Sequence, residues 1–243
     1  MTIEEKFIER WKELERVTSL SFPEWNGREI DKFLQKMQVE SVNTSELWAW
    51  KNVRNALAHT PNFEDGKPIV TLDDRAVAFV EKVIKIVKKI PTAWNVAKPL
   101  DKVVTCRLDT PIDDVVTTMV KKAYSHVPVL DKGNRVIGVF SESTMMHMGR
   151  RIMGDNSVKV VGDFAKLIPI CKHSVDRFEF VKKSEPLSRL RKLCSDMSQG
   201  KRLEMFFVTE DGDAVSPLLG IVTIWDFVGM TDSDAAKKAS ANG

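Results

Sequence analysis

The chain is poor in cysteine, with three in 243 residues. Cys106, Cys171 and Cys194 are odd in number, far apart, and free of any Cys-x-x-Cys or Cys/His clustering. That pattern signals neither a disulfide framework nor a zinc site, and the three read as buried or idle thiols. A long apolar run is also missing. No segment approaches the roughly 18 consecutive apolar residues that a membrane span needs. The opening "MTIEEKFIERWKEL" is acidic and amphipathic, without the apolar centre of a leader peptide. A soluble, cytoplasmic protein with no membrane partner is the expectation. A strong charge of one sign is absent as well, because 37 basic side chains stand against 34 acidic ones. Residues 1 to 95 hold 15 of each, which offers no large basic surface to nucleic acid. The excess lies downstream, above all in 182 to 202, with seven basic and two acidic residues. This run is either a phosphate-facing surface or a solvated helix face, and no DNA partner is expected from it.

What is present suffices for a core. At 43% hydrophobic and 29% charged residues, a chain of this length suggests two compact units. The first reads as helices. Ile3, Phe7, Trp11, Leu14 and Thr18 recur at three- and four-residue steps and put one apolar stripe on an opening helix. A second helix, about 27 to 40, follows the breaker "FPEWNG". A third starts at Asn43, where "NTSE" sets a capping side chain three residues before Glu46, and it ends near His59 because Thr60 precedes Pro61. After "PNFEDGKP", the run "LDDRAVAFVEKVIKIVKKI" gives a fourth helix with a cationic last turn. The stretch "PTAWNVAKP" reads as a linker.

Beyond it the texture changes to short β-branched runs alternating with short helices, and two blocks are alike. The first is "DTPIDDVVTTMVKKAYSHVPVLDKGNRVIGVFSEST"; the second is "SEPLSRLRKLCSDMSQGKRLEMFFVTEDGDAVSPLLGIVTIWD". Pro111 and Pro186 each stand at a helix start, where a missing amide hydrogen costs nothing. The first helix is expected to bury Ile112, Val115, Val116, Met119 and Val120, the second Leu187, Leu190 and Leu193. A strand, a turn at Gly133 or Gly212, and a second strand entering a helix complete each block. The fold class that follows is α+β, an all-helical bundle followed by a duplicated β-α-β-β-α unit. One copy alone could not cover both faces of its small sheet.

The duplication, together with "GIVTIWD" at Gly220 to Asp226, resembles a tandem pair of CBS domains, the regulatory Bateman module, over about residues 98 to 230. Repeat one is taken as 98–155, repeat two as 160–230, and "TDSDAAKKASANG" (231–243) as a polar tail. The resemblance implies that Thr223 takes the phosphate and Asp226 the ribose of an adenosine ligand. A carboxylate can accept from vicinal hydroxyls, and Gly220 lets the strand end closely against a ligand. Thr-x-x-Asp is also close to an N-capping signature, so both residues can serve backbone amides alone. Repeat one departs from the pattern, with Ser141 for the threonine and Thr144 for the aspartate, so one good site and one weak or empty site are expected. Val127-Pro128-Val129 keeps the family's strand, whereas Phe206-Phe207-Val208 alters the adenine pocket. His126 either contacts a base or faces water, and Lys201 and Arg202 either reach phosphate or are solvated at the surface. The implied regulatory ligand is an adenine nucleotide (AMP, ADP, ATP or a cyclic dinucleotide) or S-adenosylmethionine, with no cofactor required and no metal.

Residues 1 to 95 carry Arg54, Asn55, three residues, then His59. This resembles the signature of the HEPN family, an all-helical group that includes many RNA-cleaving enzymes. The resemblance implies a homodimer that joins two copies of the motif in one cleft. In it Arg54, Asn55 and His59 would form a metal-independent ribonuclease site with RNA as partner. At 100° per residue Asn55 and His59 share a helix face, while Arg54 projects about 140° from His59. A histidine and a guanidinium can supply acid-base and electrostatic help to attack by a 2'-hydroxyl. Two readings stand side by side: a nucleotide-controlled nuclease, and a non-catalytic dimerisation or adaptor module.

Overall fold

The computed structural model describes residues 1–22, 29–36, 42–59, 70–152, 159–196, 200–230 and 234, and side chains at 148–152 are not considered. The breaker after Phe22, the ends of the expected second helix, the loop at 60–69 with Pro61, and the expected polar tail apart from Asp234 lie outside the described residues. The chain divides into two compact units, one of Met1–Pro91 with Pro186–Arg189, the other of Thr92–Glu185 with Leu190–Gly243.

The first unit contains α1 (Ile3–Ser21), α2 (Ile30–Lys36), α3 (Thr44–His59) and α4 (Asp74–Val87). Helix α1 begins in a capping box. The Thr2 amide donates to Glu5 Oε2 at 2.8 Å and the Glu5 amide donates back to Thr2 Oγ1 at 3.2 Å, which satisfies two otherwise orphaned donors. Its buried face is Phe7, Trp11, Leu14, Val17 and Thr18. Asn43 caps α3 as its position suggested, its Oδ1 accepting from the amides of Ser45 and Glu46. Asp73 starts α4, which buries Ala76, Val77, Val80, Val83, Ile84 and Val87 against the same core. Trp50 of α3 meets both Phe7 and Phe79, with ring centroids 5.8 and 6.4 Å away, and so ties three helices together. Of the three, Phe7 is fully buried, which contributes on the order of 1.5–3 kcal/mol, while Trp50 and Phe79 are half-buried.

The second unit opens with a surprise. The stretch read as a linker holds a one-turn helix, α5 (Ala93–Val96), because Asn95 reaches back to accept from the Thr92 amide (2.8 Å) and hydroxyl (3.1 Å). Strand β1 (Lys98–Pro99) follows, then α6 (Ile112–Lys122), β2 (His126–Leu130), β3 (Val136–Ser141) and α7 (Glu142–Ile152). Repeat two supplies β4 (Asp176–Lys182), α8 (Leu187–Ser195, whose first residues up to Arg189 are counted with the first unit), β5 (Arg202–Thr209) and β6 (Gly220–Val222). Helix α6 buries Ile112, Val115 and Met119 and half-buries Val116. Val120 is exposed at 74%, since it lies on the flank of the stripe that faces the strands. Leu187 and Leu190 of α8 are fully buried and Leu193 is half-buried. In the repeat-one turn the left-handed residue is Asn134 (φ 59°), the short polar side chain that tolerates this region, and not Gly133. In repeat two it is Gly212 (φ 84°).

Two sheets result, ordered β1-β6-β5-β4 and β2-β3. Neither repeat completes its own sheet. Strand β1, from the start of repeat one, pairs with β6 of repeat two, Lys98 opposite Ile221 and Pro99 opposite Gly220. Reciprocally, Ile168, from the start of repeat two, accepts from the Val139 amide of β3 at 2.8 Å. Both crossings pass over a glycine. A Cβ on Gly138 would lie 2.3 Å from the Ile168 carbonyl oxygen, and one on Gly220 would lie 2.6 Å from that of Lys98. A shared core of Leu130, Val136 and Val139 with Phe178, Met205, Phe207, Leu218 and Ile221 fills the space between the sheets.

Candidate functional site

Two corners occupy matching places in the repeats, each where the second hairpin strand ends. At the repeat-two corner, Asp226 Oδ2 accepts from the Thr223 amide at 2.7 Å and from the Thr223 hydroxyl at 2.9 Å. The capping arrangement anticipated from Thr-x-x-Asp is therefore present. Both residues are half-buried, and no hydrogen bond within the described residues reaches Asp226 Oδ1. An ionised carboxylate has about four acceptor positions, so Oδ1 keeps two for incoming hydroxyls. The expected helix after this corner is a three-residue 3-10 turn, Ile224–Asp226, within the described residues. So short a turn has little dipole, and any hold on a phosphate there falls to the Thr223 hydroxyl rather than to a helix end.

The repeat-one corner is closed. Ser141 and Thr144 are exposed at only 1% and 2%, and their hydroxyls serve each other at 3.2 Å. The Ser141 amide donates to Thr144 Oγ1 and the Thr144 amide to Ser141 Oγ, both at 3.3 Å. This reciprocal cap opens the full helix α7. It contains no charged acceptor and little access to water.

Gly220 stands at the corner strand, but the room its missing side chain leaves is filled by the Lys98 carbonyl. Its role in the fold is the crossing strand. Phe206 and Phe207, which stand where repeat one has Val127 and Pro128, are 1% and 0% exposed and belong to the core, Phe206 facing Phe227 and Phe207 stacking on Phe178. His126 and Arg202 are brought together, though around Asp176 rather than at the Thr223 corner. His126 Nε2 lies 3.3 Å from Asp176 Oδ2, and the Arg202 guanidinium lies 3.8 Å from Oδ1 while also pairing with Glu204. Lys201 donates to the His173 carbonyl at 2.7 Å. Within the basic run, Lys183 pairs with Glu210 and Arg191 donates to the Met230 carbonyl, so these cations serve the fold.

Sequence reasoning missed Lys98 and Tyr124. Lys98 pairs with Ile221, two residues before Thr223, and its Nζ donates to Tyr124 Oη at 3.2 Å while lying 5.4 Å from the ring centroid. A lysine in "NVAKPL" carries no local signal of this, because the pairing is made across more than a hundred residues. An open cleft of about 490 Å³, lined by Ile170, Phe178, Phe180, Asp211, Gly212 and Asp213 among others, includes none of the candidate catalytic or ligand-binding residues. Its acidic rim is unsuited to phosphate.

In the helical unit Arg54 donates to Glu15 of α1 at 2.9 and 3.3 Å and to Asn55 Oδ1 at 3.1 Å. Glu15 Oε1 also accepts from the Trp11 indole at 3.1 Å. The structure thus joins Arg54 and Asn55, while His59 is exposed at the last residue of α3 and takes no part in that set.

Residues 95–149 match the family model of the CBS domain. No curated protein matches the chain. Among solved structures it is similar to the CBS-pair protein CBSX2 from Arabidopsis thaliana, with 21% identity, 63% of this chain and 99% of that chain covered, and a TM-score of 0.41. It is similar also to the CBS domain of a bacterial CNNM/CorC family Mg2+ transporter in complex with ATP, at 19% identity, 61% and 92% coverage and a TM-score of 0.41. A third is the CBS domain pair of protein MJ0100 with 5'-methylthioadenosine and S-adenosyl-L-methionine, at 16% identity, 58% and 94% coverage and a TM-score of 0.38. The segment that matches the CBS model holds α6, β2, β3 and the closed corner.

Proposed function

We propose that the chain is a nucleotide-sensing regulatory protein in which the repeat-two corner takes an adenine nucleotide and the helical unit is the output. The observation that carries this reading is the contrast between the two matching corners. One is sealed by paired hydroxyls at 1–2% exposure, and the other is half-open with a carboxylate oxygen left for a ligand. In the bound state Asp226 Oδ1 accepts from the ribose hydroxyls, and the Thr223 hydroxyl turns to a phosphate oxygen. The boundaries proposed are a helical domain over 1–95 and a CBS pair over 98–230. Ligand binding acts by preferring one of two arrangements of the chain.

A second reading concerns the output. The Glu15–Arg54 pair favours a non-catalytic helical unit, because a guanidinium already neutralised by an internal carboxylate has less to offer a phosphorane. A HEPN-type ribonuclease working as a homodimer on RNA would require Arg54 to leave Glu15 and join His59.

The test is a thermal-shift panel on the full chain with AMP, ADP, ATP, a cyclic dinucleotide and S-adenosylmethionine, repeated with Asp226→Asn and Ser141→Ala. A ligand at a hundred times its Kd stabilises by about 2.7 kcal/mol. For a chain of this size that raises Tm by roughly 5–11 °C. Asparagine keeps an acceptor for the Thr223 amide and removes the charge, so Asp226→Asn should weaken binding at least about tenfold with the fold intact, as loss of a charge-assisted pair implies. Ser141→Ala should leave binding unchanged. A panel with no shift, or equal affinity in Asp226→Asn, refutes the reading.

A further inference from the structure

A cluster of ionisable side chains lies where the repeats meet, and sensing at Thr223 and Asp226 leaves it unused. Asp176, at the first residue of β4, is 5% exposed, and His173 just before it is likewise 5% exposed. The Asp176 Oδ2 oxygen faces two imidazoles, His126 Nε2 of repeat one at 3.3 Å and His173 Nδ1 at 3.9 Å. Phe178 of β4 packs edge-on against both rings, with centroids 5.6 and 5.1 Å away. From β5, Glu204 Oε2 lies 4.0 Å from His126 Nδ1, and Arg202 pairs with Glu204 and approaches Asp176. The other side of the His126 ring meets Ser125 Oγ, 2.8 Å from Nδ1. No three His, Cys, Asp or Glu groups among the described residues are arranged to hold a metal ion.

We propose that His126 and Asp176 form a proton-operated tie between the two repeats, in which one proton converts a neutral hydrogen bond into an imidazolium–carboxylate pair. Three features carry this. The carboxylate is held out of water, where a charge gains most from a cation close by. His126 comes from repeat one, whereas Asp176 and Glu204 come from repeat two, so the pair spans the joint. Finally, Ser125 accommodates both states in place. Its hydroxyl donates to Nδ1 when the ring is neutral and accepts from Nδ1–H when the ring is charged, so protonation requires no rearrangement. His173 is not the proton's seat. Burial holds its imidazole below the ordinary histidine range, and among the described residues its Nε2 has no hydrogen-bond partner to share a proton with. A second proton would also set two like charges against one carboxylate.

The tie sits beside the closed corner, because His126 pairs in register with Ser141. Acidification therefore braces repeat one against repeat two at the strand that ends in Ser141 and leaves the Thr223 corner outside the tie. The inference holds whichever ligand that corner takes.

The experiment compares the full chain with His126→Gln, Asp176→Asn and His173→Gln from about pH 8 to about pH 5.5. Glutamine can still donate to Asp176 but cannot take up a proton. The Tm advantage of the parent over His126→Gln should widen by about 2–4 °C across that range, the equivalent of one modest ion pair in a chain of this size. His173→Gln should retain the widening. In parallel, a double-mutant cycle through His126→Gln and Asp176→Asn reads the tie directly, and its coupling should be larger at about pH 5.5 than at about pH 8. Parallel Tm profiles for the parent and His126→Gln overturn the proposal. So does a His126–Asp176 coupling that is the same at both ends of the range. Should Asp176→Asn fail to fold, the His126→Gln comparison decides alone.

Discussion

Gly138→Ala tests the architecture most directly. A Cβ built there would stand 2.3 Å from the Ile168 carbonyl oxygen, 2.7 Å from its carbon and 3.2 Å from its side chain. Real Cβ atoms essentially never come within 3.0 Å of such neighbours, so about 0.7 Å of relief has to come from backbone. That backbone is fixed by the 2.8 Å hydrogen bond from the Val139 amide to the same oxygen. Moving Ile168 outward lengthens the bond, and moving β3 disturbs Val139 and Phe140, both fully buried. Neither glycine has a positive φ, so the cost is steric and not conformational. Overpacking of this kind costs about 1–3 kcal/mol. The alanine recovers about 0.4–1 kcal/mol by restricting the unfolded chain. Gly138→Ala should therefore lose about 1–2 kcal/mol net, seen as a lower urea midpoint at unchanged slope and a Tm lower by roughly 2–8 °C. Gly220→Ala, with 2.6 Å to the Lys98 carbonyl, should show the same effect at smaller size, and any ligand affinity it loses should follow the stability loss. A Gly138→Ala chain that melts with the parent would show that the Ile168 crossing yields freely, and the reciprocal pairing of the repeats would lose its structural weight.

Two further expectations concern ion pairs and protons. Arg54 and Glu15 are about 20% exposed and join α3 to α1, so a double-mutant cycle through Arg54→Met and Glu15→Gln should give a coupling of about 1 kcal/mol, above the exposed Arg16–Glu13 pair on α1. A coupling indistinguishable from zero would make Arg54 free for other work and revive the nuclease reading. Burial lowers the pKa of His173, with the nearby Asp176 carboxylate opposing, so the unfolded chain takes up this proton first as pH falls below about 6.5. Stability from this residue is thus complete above that value and declines toward the lowered folded pKa. The slope of Tm against pH just below about 6.5 should be shallower in His173→Gln, and an unchanged slope would contradict it.

How far the sequence discloses this molecule depends on how local the cause is. Capping at Asn43, the apolar stripe of α1 and the helix start after Pro111 are each set by side chains within four residues, and pattern reading finds them. The duplication is legible for the same reason, since each repeat writes out its own helix and hairpin. The chain crossings are not. Nothing near Lys98 announces Ile221, and nothing near Ile168 announces Val139, because a pairing across such separations leaves no periodicity behind. The glycines show the consequence. Gly220 suggests close approach, which is correct, but local reasoning supplies a ligand where the fold supplies a carbonyl. Arg54 shows the same limit, for its spacing to His59 is visible in the sequence while its partner Glu15 lies 39 residues away. His126 and Arg202, each plausible beside a ligand, meet instead at Asp176, a residue that no motif marks.

On the proposed reading, the crossing of β1 onto β6 gives a reason to build a sensor from two repeats. The Thr223 corner ends β6, and β6 is held on one edge by β5 of its own repeat and on the other by β1 of repeat one. Strand β1 is continuous with α5, whose first two amides donate to the carbonyls of Glu185 and Lys183 at 2.7 and 3.1 Å. A ligand that draws Thr223 and Asp226 toward itself therefore loads β6, and through it a segment that is not part of repeat two. If each repeat closed its own sheet, that load would end at the sheet edge. With the edges exchanged, a shift at the corner would instead be passed to the chain between Thr92 and Pro99. The close approach at Gly220 leaves that segment no slack, because the Lys98 carbonyl already occupies the place of a side chain. A packed joint of this kind shifts between discrete arrangements more readily than it deforms by degrees, which is what a sensor needs from a small ligand.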